Sequence, residues 1–230
     1  MKIQGLQKVT LLDFPGRVAC TVFLAGCNFR CPFCHNASLV THIDPENDIS
    51  EEEVLMFLKK RAGVLDGVCI TGGEPLISPE LETFMEKIKA LGYEIKLDTN
   101  GSNVNRLRHL TEAGLVDYVA MDIKNSPEKY GMTIGLDDYD MENVEASAGY
   151  LMQGNIPYEF RTTVVREFHK RDDFEAIGRW LAGAEKYYLQ AFEDSGDLIR
   201  PGLRAYTKEI MDQALDIVRR YVPNAELRGI

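Results

Sequence analysis

The sequence predicts an α/β fold, an incomplete (β/α)6 barrel of parallel strands left open on one side. Short β-branched or apolar runs recur at residues 18–24, 68–71, 94–98, 118–123, 159–165 and 186–190, each followed by a helical pattern, which is βαβα order. The unusual polar residues fall at or just beyond the C-terminal ends of these runs, on the rim where parallel α/β folds build their sites because loops there change without disturbing the strands. A chain of 230 residues that is 45% hydrophobic is large enough for one such domain, spanning residues 1–230, with a sizeable core. Right-handed crossovers also permit a doubly wound sheet from the same order.

The helices follow in turn. Ser50 with Glu53 three residues on forms a capping box, and Ile49 with Val54 can supply the hydrophobic staple. Ser78 and Pro79 offer a cap and first-turn residue for the next helix, whose stripe of Leu81, Phe84, Met85 and Ile88 runs until Gly92. A helix over 103–113 is stopped by Gly114. Later helices are expected at 141–153, 172–184 and 205–220, the last with Met211, Ala214, Leu215 and Val218 on one face before Pro223.

Composition narrows the function. Lys plus Arg number 26 against 36 Asp plus Glu, and the net charge of −10 disfavours broad attraction to nucleic acid or anionic membrane. No apolar run nears the ~18 residues of a spanning helix, and the N-terminus lacks a signal-peptide progression, so a cytoplasmic protein is expected. Of five cysteines, three crowd into eight positions, which argues for metal ligation in a reducing compartment rather than a disulfide framework.

Those three, Cys27, Cys31 and Cys34, lie on a loop of about residues 26–37 with C-x3-C-x2-C spacing. Four-iron clusters are usually held by four thiolates, so three leave one iron open to a substrate or cofactor. The rival is structural zinc, which wants a fourth Cys or His and usually pairs two C-x2-C hooks. His35, adjacent to Cys34, is poorly placed to join the same ion. Cys20 and Cys69 fall inside strands and read as buried small hydrophobes.

The other rim residues each carry two readings. Gly72 and Gly73 before Glu74 and Pro75 make a plain turn, or let main-chain groups approach a charged ligand while Glu74 accepts from an ammonium group. Asp98, Thr99, Asn100 and Gly101 end the third strand. Asp122 and Lys124, two apart, share a face where unpaired charges are costly, and either pair structurally or meet ribose hydroxyls and a carboxylate of a bound cofactor. Arg161 and Thr163 repeat that spacing, and Gln190 ends the sixth strand. His42, His109, His169 and Trp180 read as surface or structural residues.

Together these residues resemble the radical S-adenosylmethionine superfamily, whose hallmark is C-x3-C-x2-C with an aromatic before the last cysteine, here Phe33. The stretches from Gly5 to Val9, Asp13 to Gly16, Cys34 to Asn36, Leu97 to Gly101 and Met121 to Lys124 look like those of glycyl-radical-enzyme activating proteins, the anaerobic ribonucleoside-triphosphate reductase type above all. The resemblance implies a 4Fe-4S cluster on Cys27, Cys31 and Cys34, with S-adenosylmethionine chelating its fourth iron. It implies that Phe33 contacts the adenine, that Gly72, Gly73 and Glu74 meet the methionyl amino end, and that Asp98, Asp122, Lys124, Arg161 and Gln190 serve the ribose and carboxylate. Asp98, Thr99 and Asp122 could instead hold a monovalent cation. The partners it implies are a glycyl-radical enzyme and a low-potential donor such as flavodoxin or ferredoxin. A small-molecule radical enzyme such as a deazapurine synthase shares the same cluster and fold, and an iron-sulfur carrier is the non-enzymatic alternative.

Overall fold

The computed structural model describes all residues, 1–230. Its strands are β1 (Ile3–Thr10), β2 (Ala19–Leu24), β3 (Gly67–Gly72), β4 (Glu94–Thr99), β5 (Tyr118–Asp122), β6 (Tyr158–Val164), β7 (Tyr187–Ala191) and β8 (Glu226–Arg228). They follow chain order in one open, mostly parallel sheet, with β1 antiparallel to β2. The helices are α1 (Ser38–Thr41), α2 (Glu51–Lys60), α3 (Leu81–Ala90), α4 (Val104–Glu112), α5 (Tyr130–Ile134), α6 (Glu142–Met152), α7 (Arg171–Trp180) and α8 (Lys208–Arg219).

All six expected strands form, as β2 to β7. The sheet gains two that the sequence pattern hid. In β1 only Ile3 and Thr10 are buried, so no alternation marks it, and β8 is three residues with no buried side chain.

The chain forms two compact units, one of Met1–Asn28, Ser38–Thr99 and Asn103–Ala120, the other of Phe29–Ala37, Asn100–Ser102 and Met121–Ile230. In the first, β2 and β3 are near-continuous buried runs, as expected of parallel strands covered on both faces. The capping box of α2 is complete: Ser50 N donates to Glu53 Oε2 at 2.9 Å, and Glu53 N to Ser50 Oγ at 3.2 Å. Leu81, Phe84, Met85 and Ile88 of α3 are fully buried, each contributing roughly 1.5–3 kcal/mol. The expected Ser78 cap is corrected. A 3-10 turn at Pro75–Ile77 draws the Ser78 N–H to Pro75 O at 3.0 Å, so α3 starts two residues later from Glu80, without a side-chain cap. Gly92 and Gly114 follow the ends of α3 and α4 at φ +87° and +70°, which only glycine adopts without strain.

In the second unit, α7 packs on α8, and Gly178 permits it: a Cβ there would sit 2.7 Å from the Tyr221 ring. Met211, Ala214, Leu215, Ile217 and Val218 form the buried face of α8. The helix expected over 172–184 ends at Trp180, and that over 205–220 begins at Lys208.

Candidate functional site

In the first unit β2 and β3 end side by side, with Leu24 opposite Gly72. The register continues past both strands: Gly73 N donates to Leu24 O and Glu74 N to Gly26 O, each at 2.8 Å. The turn thus lies directly against the backbone leading into Cys27. Both glycines are required by that approach. A Cβ on Gly72, whose φ is +121°, would come within 2.2 Å of Leu24 O, and one on Gly73 within 1.9 Å of Gly26 O.

The Glu74 side chain is buried, and its Oε1 accepts from Leu76 N at 3.0 Å and from Thr99 Oγ1 at 2.7 Å. It therefore braces the turn against the end of β4, besides any ligand it meets. Thr99 turns to Glu74, and strand alternation carries Asp98 to the other face. There Asp98 pairs with Lys96, a buried lysine that the sequence reading missed. The signal was present, since Lys96 and Asp98 have the two-residue spacing that singled out Asp122 and Lys124. Cys69, expected to be an inert small hydrophobe, is fully buried, and its Sγ lies 3.7 Å from Asp98 Oδ1.

In the second unit the loop carrying Cys31 and Cys34 is anchored by backbone bonds. Arg30 N donates to Ile134 O at 2.8 Å, Cys34 N to Cys31 O at 3.0 Å and Arg200 N to Pro32 O at 2.9 Å. Phe33 is buried with its ring 5.6 Å from that of Phe168 and 6.5 Å from that of His169. His35 stacks on Phe192 at 5.5 Å, and its Nε2 is buried without a hydrogen-bond partner. Burial pushes the Cys34 thiol up, opposed by the Asn36 backbone and the charge of Lys124.

Asp122 accepts from Lys124 Nζ at 2.9 Å and from Arg161 Nε at 3.0 Å. Burial alone would raise its carboxyl, but these two cations hold it well below the usual carboxylate range. Thr163 of β6 and Gln190 of β7 are register neighbours, both half-buried. Beside them Arg228 of β8 stacks over Tyr188 at 3.7 Å and reaches the buried Glu159 at 2.9 Å, a pairing that no local pattern signals. His169 is structural, as expected. Val165 N donates to its Nδ1 at 3.1 Å, which leaves the proton on Nε2 to donate to Lys124 O at 2.9 Å. His42 and His109 are exposed, and His109 pairs with Glu82.

The donor set suits an iron-sulfur cluster. All five cysteines are free thiols, three of them on one irregular loop, and the Gly72–Gly73 turn closes tightly on the backbone entering it. Within either unit no three His, Cys, Asp or Glu side chains gather into a metal-sized group, so the assignment rests on spacing and thiol chemistry.

Comparison with known proteins agrees. The Radical SAM superfamily pattern matches residues 21–181. A Methanocaldococcus jannaschii protein, provisionally named a glycyl-radical enzyme activating enzyme, is 27% identical over 237 residues, covering 99% of this chain and 96% of its own. A 7-carboxy-7-deazaguanine synthase from Hyperthermus butylicus is 36% identical over 89 residues, 38% of this chain and 37% of its own. Beyond the first of these, the chain spans about half or less of the length of its curated relatives. The crystal structure of a domain of pyruvate-formate lyase-activating enzyme from Bacteroides vulgatus superposes with a TM-score of 0.58 at 18% identity, covering 71% of this chain and 99% of that one, a likeness of fold. On the match over residues 21–181, with the C-x3-C-x2-C loop inside it, the chain belongs to the radical S-adenosylmethionine superfamily.

Proposed function

We propose that this radical S-adenosylmethionine enzyme is an activase that installs a glycyl radical on a partner enzyme, an anaerobic ribonucleotide reductase or a related glycyl-radical enzyme. The observation that carries this reading is the end-to-end match to the Methanocaldococcus jannaschii protein, which covers 99% of this chain, whereas the match to the deazaguanine synthase covers 38% of it.

The superfamily implies a 4Fe-4S cluster and S-adenosylmethionine. Bound on this rim, the reduced cluster and S-adenosylmethionine would supply one-electron cleavage of the sulfonium and, through it, hydrogen abstraction from a glycine Cα of the partner. No titrating acid or base is needed, so the chain's share is holding and excluding. Cys27, Cys31 and Cys34 would be the ligands of the cluster. Main-chain groups at Gly72 and Gly73 would meet the methionyl amino end, and Glu74 keeps that turn rigid through Thr99 and Leu76. In the second unit Asp122, Lys124 and Arg161 form a charged set that would suit ribose and carboxylate, Gln190 would be a further contact and Phe33 would meet the adenine; in the first, Asp98 would serve the ribose. A low-potential donor such as flavodoxin or ferredoxin would reduce the cluster. A single domain in the cytoplasm, with no nucleic-acid partner, completes the proposal, and no helix is long and apolar enough to cross a membrane.

The test is to incubate reconstituted, reduced protein with S-adenosylmethionine and candidate glycyl-radical enzymes, seeking a carbon-centred doublet by electron paramagnetic resonance and one 5′-deoxyadenosine per radical. The local match to a deazaguanine synthase favours a second reading, a small-molecule radical enzyme. Cofactor cleavage without any partner radical would support it instead.

A further inference from the structure

Lys96 is not among the cofactor contacts of the proposed function, yet its side chain is 1% exposed, a costly place for an ammonium group unless an anion stands beside it. The anion is Asp98, two residues on along β4 and on the same face, itself 13% exposed. Lys96 lies opposite Cys69 of β3, and its Nζ is 3.9 Å from the Cys69 Sγ. The thiol contacts the same carboxylate oxygen, Asp98 Oδ1, that the ammonium holds.

Two carboxylates of the strand ends were candidates for an alkali cation, with Thr99 as a third ligand. Each carboxylate already has a cation tethered to the chain: Lys96 for Asp98, and Lys124 with Arg161 for Asp122. The Thr99 hydroxyl lies on the opposite strand face, donating to Glu74. We infer that the Lys96 ammonium is the resident counter-cation of Asp98, a positioning residue that fills the place of an alkali cation and makes this chain indifferent to monovalent salts. A tethered cation has a high effective concentration and cannot diffuse away, so it holds the carboxylate charge and orientation whatever the surrounding ions.

The experiment uses the full-length chain prepared anaerobically, with thallium(I) as a potassium probe read by 205Tl resonance, and thermal midpoints in potassium chloride against choline chloride at equal ionic strength. The wild-type chain is expected to show no saturable, potassium-competable thallium binding and equal midpoints in the two salts. Lys96→Met should acquire such binding, at least about tenfold tighter than any wild-type signal, with a higher midpoint in potassium than in choline. Adding Asp98→Asn to that variant should abolish the gain. Saturable thallium binding by the wild type would overturn the inference. So would a Lys96→Met chain destabilised equally in both salts, because a lysine that merely packs gives no ionic rescue. Should Lys96→Met not fold in choline, refolding on addition of potassium is expected, and failure in both salts would count against the inference. Because no step uses S-adenosylmethionine, this result and the activase test can fail independently.

Discussion

Arg161 Nε lies 3.0 Å from Asp122 Oδ1, so a guanidinium from within β6 grips the carboxylate that ends β5, while Lys124 takes the other oxygen at 2.9 Å. Three charges thus form one set, with 14% of the Arg161 side chain exposed and 32% of that of Asp122. Such a set tolerates removal of its central anion poorly, because two cations would then face each other without compensation.

Asp122→Asn is therefore expected to lower stability at pH 7 by about 1–3 kcal/mol, less than for a fully buried pair because solvent reaches the carboxylate. The pH dependence has a definite sign. The folded carboxyl is held below its ordinary value of 3.8, so its contribution is complete above that pH and is lost as the pH falls toward the folded value. Urea unfolding between pH 3 and 7 should show a steeper acid decline for the wild type than for the variant.

His169 gives a second pH effect. Burial holds its imidazole below the ordinary 6.5, so the neutral ring is favoured in the folded chain. Protonation then occurs more readily in the unfolded state. The stability is complete above about pH 6.5 and declines as the pH falls from there toward the folded value. His169→Ala removes a buried ring and bonds to Val165 and Lys124, an expected loss of about 2–4 kcal/mol by urea titration.

Gly73→Ala tests the turn against the cysteine loop. A Cβ 1.9 Å from Gly26 O forces the backbone entering Cys27 to move, with an expected cost of about 2–4 kcal/mol. Iron retained after anaerobic reconstitution and desalting should fall several-fold, whereas Gly149→Ala, where a Cβ meets nothing within 4 Å, should leave it unchanged.

Replacing Cys27, Cys31 or Cys34 singly by Ala should abolish cluster retention, seen as loss of the visible iron-sulfur absorbance. Cys20→Ala should not. Burial pushes the Cys20 thiol up to about 12, so it stays protonated near neutrality and should resist iodoacetamide in the native chain at pH 8. Retention of a full cluster without Cys31 would contradict the ligand assignment.

Much of this was legible because its cause is local. Strand-helix alternation, the Ser50–Glu53 box and the stripe on α3 are short-range patterns, and each formed where its residues stood. Lys96 is legible in principle by its two-residue spacing from Asp98, the same spacing that marks Asp122 and Lys124. Edge strand β1 was not legible, since only its end residues Ile3 and Thr10 are buried and the residues between them carry no alternation. The Ser78 cap failed for a related reason: the turn after Pro75 competed for the same residue, and only folding decides between two local hydrogen-bond schemes.

By itself, then, the sequence determined the alternation of six strands with helices, the cysteine spacing and the chemistry that three thiols on one loop can support, while the order of the strands in the sheet came from the fold. Only the tertiary structure decided which distant charges meet: Arg161 with Asp122 and Arg228 with Glu159. Periodicity fixes which face a side chain occupies over a few residues. Ion pairs such as Arg161–Asp122 and Arg228–Glu159 join positions far apart in the chain, and what selects their partners is the desolvation of buried charges, a force that acts only once the strands have been brought together.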